Sequence, residues 1–242
     1  MTKWERLTRW LTAIVFPERC IWCGRVIPPF SLCCRACRED VTVIRPPICT
    51  YCGGEKQQCR CGRKRHHYDR IASPFYCEKA VRNGILRLKR YADSLLIGFL
   101  ADQMETVVRR EYGKTLPDVI SFVPVTDRDR FERGYNQSEE LAKALGTRLG
   151  IPVEPLLVKL YDTKSQKTLS ALFRSGNVFG VYDVRSERSL VGKTVLLTDD
   201  VLTTGCTLNE CAKMLKIYGA EKVWCVTASV RRPSQKEEKH EG

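Results

Sequence analysis

Val195-Leu196-Leu197-Thr198-Asp199-Asp200-Val201-Leu202-Thr203-Thr204-Gly205-Cys206-Thr207 is the stretch that decides the fold. Its opening residues, Val195 to Thr198, read as a buried strand. Two adjacent carboxylates follow, then a small turn rich in hydroxyls and carrying a glycine. Beyond the turn, Leu208, Cys211, Leu215 and Tyr218 recur on one helical face, and Gly219 is the expected stop. A strand that feeds such a turn and helix aims several backbone N–H groups and the positive end of the helix dipole at one point. That point suits a phosphate. Thr203, Thr204 and Thr207 can add hydroxyl donors, and Gly205 lets backbone approach the ligand closely. Asp199 and Asp200, at the strand's carboxyl end, can accept hydrogen bonds from sugar hydroxyls. One turn can therefore hold a sugar phosphate at both ends.

The order of apolar residues, two acids, two variable positions and Thr-Thr-Gly-x-Thr closely resembles the phosphoribosyl-diphosphate (PRPP) loop of type I phosphoribosyltransferases. The resemblance implies that Asp199 and Asp200 hold the ribose 2′ and 3′ hydroxyls, and that the turn holds the 5′-phosphate. The bland alternative is an ordinary strand–turn–helix with a solvated acidic pair.

At 242 residues the chain has room for one medium domain and a small one. Its net charge of +13, from 41 basic and 28 acidic residues, favours a polyanionic or phosphorylated partner. Thirteen cysteines are present, and most crowd between Cys20 and Cys61 in closely spaced pairs. That distribution favours thiolate metal ligation in a reducing compartment, hence a cytoplasmic location, over a secreted disulfide framework. No transmembrane segment is expected. Residues 1–17 interleave Trp4, Leu7, Trp10, Leu11, Ile14 and Val15 with Lys3, Arg6 and Arg9, a pattern of an amphipathic helix too short and interrupted to span a bilayer. Such a stripe can lie on a membrane surface, but packing against its own protein is the preferred reading.

Residues 18–67 form the cysteine-rich region. Cys20-x-x-Cys23 and Cys34-x-x-Cys37 are two knuckles whose four thiolates can complete a tetrahedral shell around a structural zinc ion. A closed shell leaves no catalytic position, so its work is to fold a segment too small for its own core. Cys33 is an alternative to Cys34, although only Cys34 gives the Cys-x-x-Cys spacing. A second set, Cys49-x-x-Cys52 and Cys59-x-Cys61, ends one residue short of the usual spacing. His66 or His67 is then a substitute ligand, and a single interleaved site drawing on both sets is a further arrangement. Arg63-Lys64-Arg65-His66-His67 reads as a basic linker, solvated or touching nucleic acid.

From 68 to 230 the composition changes. Strands are expected over Ile71–Tyr76, Val119–Val123, from Val153 to Leu160, at Val195–Thr198 and over Val223–Val230. Helices are expected over Lys79–Tyr91, Leu95–Val108 and Asn136–Leu149. Lys164 to Phe179 is a polar, basic excursion, and the charged tail 231–242 reads as disordered. Strands alternating with helices give an α/β fold, a mostly parallel sheet flanked by helices, with ligands at the carboxyl ends of the strands.

Three further segments narrow the resemblance. Arg130-Phe131-Glu132-Arg133-Gly134-Tyr135-Asn136-Gln137 is similar to the Arg-Gly-aromatic-Asn-Gln signature of the ComF family, phosphoribosyltransferase-like proteins with an amino-terminal double zinc ribbon. Lys164-Ser165-Gln166-Lys167-Thr168-Leu169-Ser170 with Arg174, Asn177, Val178 and Phe179 resembles its basic flexible loop, and Leu88-Lys89 the start of its Leu-Lys-aromatic stretch. Within the shared loop, Cys206 stands where the family usually has a small residue. The resemblance implies PRPP binding with Mg²⁺ by Asp199, Asp200, Thr203, Thr204, Gly205, Cys206, Thr207, Lys89, Arg130, Arg133, Lys164, Lys167 and Arg174. Arginines after a strand end suit a diphosphate, and basic residues on a mobile loop can close over it. Any catalysis would displace pyrophosphate from ribose C1, with Asp199 and Asp200 supporting the developing positive charge. Three functions stand: a transferase, a PRPP-binding regulator, and a protein of competence and DNA uptake that binds single-stranded DNA and other uptake-machinery proteins.

Overall fold

The computed structural model describes residues 4, 16–62, 66–113, 115–160, 181–185 and 189–232. In chain order the elements are helix α1 (Arg35–Asp40), strands β1 (Arg70–Ala72) and β2 (Phe75–Tyr76), helices α2 (Lys79–Leu88) and α3 (Ser94–Tyr112), strand β3 (Val119–Phe122), helices α4 (Asp127–Arg133) and α5 (Gln137–Leu149), strands β4 (Leu157–Lys159), β5 (Tyr182–Val184) and β6 (Thr194–Leu202), helix α6 (Cys206–Ile217) and strand β7 (Lys222–Val230).

The main sheet has the order β1–β7–β6–β3, with β2 also on β7, and every pairing in it is parallel. All four residues of β3 are buried, as is every residue of β7 after Lys222. Such all-round burial requires cover on both faces of the sheet. Helices α3 and α5 pack on each other, α3 against β7 and β1 and α5 against β6 and β3, while α6 packs with β5 against β6 and β7. Connections running in opposite senses along a parallel sheet put their helices on opposite faces when each is right-handed. The β1-to-β3 and β6-to-β7 connections run in opposite senses here.

Several expected boundaries move for local reasons. Pro74, which has no N–H to give a ladder, splits the first expected strand into β1 and β2. The expected strand from Val153 is a single parallel bridge to Ile120; Pro155 intervenes, and β4 then pairs antiparallel with β5 instead of joining the sheet. Helix α2 ends at Leu88, with Lys89 as its C-cap, and the chain turns to Asp93, whose carboxylate caps α3 through Leu96 N–H at 3.1 Å. Helix α3 in turn outlasts its expected end at Val108 and stops at Gly113, which adopts φ +77°. The strand of the acidic pair is also longer than expected, because Val201 and Leu202 continue the ladder opposite Ser229 and Val230. Of the first seventeen residues only Trp4, Phe16 and Pro17 are described, and 233–242 lie outside the described residues, so the helix expected at the amino terminus and most of the tail expected to be disordered fall there.

The cysteine-rich segment is docked on the α/β body by specific contacts. Trp22, 1% exposed, meets Phe75 and Phe99 edge-on, with ring centroids 5.8 and 5.6 Å away. Gly84 makes room for it on α2, since a Cβ there would lie 2.5 Å from the indole. Arg87 donates to the Cys20 carbonyl at 2.7 Å and pairs with Asp93 at 3.2 Å. Further along, Ile71 N–H bonds Thr50 O and Tyr76 N–H bonds Thr42 O, so this segment also lies along β1 and β2.

Candidate functional site

The carboxylates sit where β6 passes its core-buried portion. Asp200 is 4% exposed, and its Oδ2 receives both Lys89 Nζ at 3.2 Å and Gln137 Nε2 at 3.4 Å. Asp199 accepts from Ser138 Oγ at 2.8 Å and from the Asp200 N–H at 2.9 Å. Gln137 and Ser138 open α5, where Asn136 is the cap: its Oδ1 accepts from Ser138 N–H, and its Nδ2 donates to Val123 O at 3.0 Å. The Asn-Gln-Ser run thus ties the end of β3 to the acids on β6. Burial, and secondarily the neighbouring Asp200 charge, push the Asp199 carboxyl up to about 7.

Downstream the chain makes the turn that the sequence predicts. Gly205 is the N-cap of α6 in a left-handed conformation, φ +79°, which costs a side chain-bearing residue strain and glycine none. Thr203, Thr204, Cys206 and Thr207 are exposed around it. A shallow, open concavity is lined by Asp199, Val201, Leu202, Thr203, Gly205, Thr207 and Leu208. The helix terminus therefore lies at a polar hollow with Asp199 on its wall, suited to a phosphorylated sugar.

The residues singled out from sequence divide into three groups. Asp199, Asp200, Lys89 and the 203–207 turn come together. Arg130 and Arg133 lie on α4 and are paired with acids: Arg130 with Glu139 at 3.2 Å, Arg133 with Asp129 at 3.6 Å. Lys164, Lys167 and Arg174 lie outside the described residues, as do Arg63, Lys64 and Arg65. Gln137 and Ser138 were not expected to reach the acids. Their signal is polar residues in a helical first turn that are nonetheless 5% and 2% exposed, a burial that only the fold reveals.

Two sulfur clusters stand apart from one another: Cys20, Cys23, Cys34 and Cys37, and Cys49, Cys52, Cys59 and Cys61, each with all its sulfurs within 4.8 Å. Cys34, not Cys33, is the member of the first. The second is complete in sulfur despite its short final spacing, so the interleaved arrangement does not occur. His66 instead stacks on Tyr68 at 4.6 Å, and His67 N–H bonds Asn209 on α6. Four sulfurs about 2.3 Å from one zinc ion would lie roughly 3.8 Å apart; Cys23–Cys34 at 3.9 Å and Cys49–Cys61 at 3.8 Å match this, while Cys52–Cys59 at 3.5 Å and Cys59–Cys61 at 3.2 Å are closer. The donor chemistry fits structural zinc.

Residues 11–79 match the double zinc ribbon domain model, and residues 135–242 the phosphoribosyl transferase domain model. The ribbon match thus runs past residue 67 into β1 and β2. Competence protein F of Haemophilus influenzae is 29% identical over 219 residues, covering 86% of this chain and 95% of that protein. The DNA utilization protein YhgH of Salmonella typhi is 32% identical over 204 residues, covering 81% and 88%. Competence protein ComFC of Bacillus subtilis is 26% identical over 205 residues, covering 78% and 80%. No helix among the described residues is long and apolar enough to cross a membrane. With a type I phosphoribosyltransferase sheet behind a double zinc ribbon and relatives matched over most of their length, the chain belongs to the ComF family.

Proposed function

We propose that the chain binds PRPP at the Asp199–Thr207 turn and works in competence or DNA utilization. The observation that carries the first part is the convergence of Asp199, Asp200 and Lys89 beside a glycine-capped helix terminus. In this reading the turn takes the 5′-phosphate, the acids take the ribose hydroxyls, and Lys89 offsets part of their charge. Magnesium would arrive with the ligand's diphosphate and neutralise it, as it commonly does when bound through phosphates and one or two carboxylates. Arg130 and Arg133 would have to exchange Glu139 and Asp129 for a diphosphate. Each thiolate cluster would hold one zinc ion, with a purely structural role. Among the described residues no group is assigned as the base that would activate an acceptor, and both a PRPP-binding regulator and a transferase of unknown acceptor stand.

Calorimetry with PRPP and Mg²⁺ tests the first part. Asp200→Asn should weaken binding roughly ten- to hundredfold, the worth of a charged hydrogen bond. Unchanged affinity in the Asp199→Asn/Asp200→Asn double variant would move the site elsewhere. Steady pyrophosphate release with a metabolite panel would mark a transferase, and binding without turnover a regulator.

Single-stranded DNA binding is the second part, favoured by the +13 charge, the 63–65 basic run and relatives named for competence and DNA utilization. A mostly electrostatic contact weakens steeply with salt and is indifferent to base sequence. Neutralising Arg63, Lys64 and Arg65 should lower both affinity and salt slope in fluorescence anisotropy, with PRPP binding intact. Folded, zinc-loaded protein that ignores an oligonucleotide at low salt would remove this part.

A further inference from the structure

The second thiolate cluster is joined to the glycine turn by the linker that follows it. Cys49 and Cys52, both of that cluster, flank Thr50-Tyr51, and the Tyr51 carbonyl accepts from the Tyr68 hydroxyl at 2.9 Å. The same hydroxyl lies 3.5 Å from where a Cβ of Gly205 would be, and the His66 ring 4.0 Å from it. The two rings stack nearly parallel, with centroids 4.6 Å apart. Between them in sequence, His67 N–H donates to Asn209 Oδ1 at 2.7 Å, and Asn209 N–H bonds the Gly205 carbonyl at 2.9 Å. Three consecutive residues thus contact the first turn of α6.

Tyr68 is 5% exposed, and a buried phenol keeps its hydroxyl bonded. Its acceptor, the Tyr51 carbonyl, is fixed only as firmly as the cysteines on either side of it. A metal ion joining Cys49 and Cys52 to Cys59 and Cys61 would therefore set where the phenol sits, and the phenol backs a glycine held at φ +79°. Among the described residues the first cluster reaches the site by a looser route. Arg87 on α2 bonds its Cys20 carbonyl, and from the end of α2 the Lys89 side chain, a flexible stem that absorbs small shifts, goes on to Asp200. We propose that Tyr68 is a positioning residue that couples metal occupancy of the second cluster to ligand binding at the turn. A loaded knuckle holds the turn ready for a phosphate, and a bound sugar phosphate holds the knuckle closed on its metal. This rests on the PRPP-site reading. A turn ordered in advance spares the ligand the entropy of ordering it. Such coupling is reciprocal, so each ligand tightens the other by the same factor.

Zinc affinity, read by competition with a chromogenic chelator in the presence and absence of PRPP and Mg²⁺, tests it beside calorimetry of PRPP. Cys37→Ser would leave zinc in the second cluster only, and Cys59→Ser in the first only. Saturating PRPP should raise zinc affinity at least roughly fivefold in Cys37→Ser and leave it unchanged in Cys59→Ser. A ligand that merely stabilised the whole fold would raise both alike, and that result overturns the proposal. Tyr68→Phe keeps the ring and its stack on His66 but deletes the bond to Tyr51. That variant should keep both zinc ions, while PRPP no longer tightens either and itself binds more weakly by the factor lost. Protection of zinc by PRPP equal in wild type and Tyr68→Phe overturns the proposal too, and this comparison stands even if the cysteine variants do not fold. Failure of the zinc-loaded wild type to bind PRPP removes the underlying site, a result distinct from PRPP binding that leaves zinc affinity untouched.

Discussion

Raising the pH should strengthen PRPP binding, because Asp199, the acid proposed to meet the sugar, is pushed up to about 7. Asp199 is pushed up to about 7 first by burial and then by the charge of Asp200. As a hydroxyl acceptor it works best ionised. At about pH 6 roughly one tenth of the free protein has this carboxylate charged, and at about pH 8 roughly nine tenths, so apparent affinity should rise about tenfold, or ~1.4 kcal/mol. The ligand's phosphates titrate near pH ~6 as well, which alone would tilt the curve. Asp200→Asn separates the two: it deletes the neighbouring charge while burial remains, lets Asp199 fall part of the way, and should lessen the protein's share of the slope while the ligand's share stays. The assay is calorimetry across this range for both proteins. A parallel readout is melting without ligand. The folded-state value of Asp199 is raised, so its contribution to stability is full below the unfolded carboxylate value of about 3.9 and is lost as pH rises through about 7. The wild type should therefore lose stability across that window more than Asp200→Asn does. Identical pH slopes in the two proteins, or affinity that falls towards pH 8, would refute the reasoning.

Elemental analysis of reduced, chelator-free protein should find two zinc ions per chain, one for each thiolate cluster, and Cys37→Ser should lose one of them; a wild type without zinc would remove the structural role. Gly84→Ala puts a methyl 2.5 Å from Trp22, an indole already wedged between Phe75 and Phe99, and should cost about 1–3 kcal/mol in chemical denaturation. A midpoint equal to wild type would mean that the indole has room to retreat. Gly205→Ala forces a side chain-bearing residue into the left-handed region, at a cost of about 1–2 kcal/mol, and should weaken PRPP binding as well as lower the melting temperature; loss of neither would contradict the tight turn.

The sheet was legible in the sequence because its strands are nearly continuous apolar runs, and the turn because glycine and three threonines crowd behind two acids. Cys-x-x-Cys spacing likewise announces its own chemistry. What escaped was anything decided by distance in three dimensions. Pro155 alone does not say that the following strand will leave the sheet for a partner at Tyr182–Val184. Lys89 came from resemblance, but only the C-cap geometry at the end of α2 explains how it reaches Asp200. Gln137 and Ser138 read as ordinary polar residues of a first helical turn, a place where exposure is the usual state. The arginines of α4 were read as available, yet the same short segment carries acids at helical spacing, and Arg130 also finds Glu139 on the next helix.

The Tyr68 hydroxyl donates to the Tyr51 carbonyl, inside the second cysteine knuckle, and lies 3.5 Å from where a Cβ of Gly205 would be. One phenol therefore touches both the knuckle and the glycine that begins α6. The amino-terminal segment is consequently a wall of the ligand hollow's supporting structure, not a detachable tag. Deleting it would strip Trp22 from Phe75 and Phe99, unpair the edge along β1 and β2, and leave the Tyr68 hydroxyl beside Gly205 without its acceptor at Tyr51. A fragment consisting of the transferase-like region alone should be insoluble or loosely folded, and a failure of such a fragment to bind PRPP would speak to lost architecture before it spoke to lost chemistry.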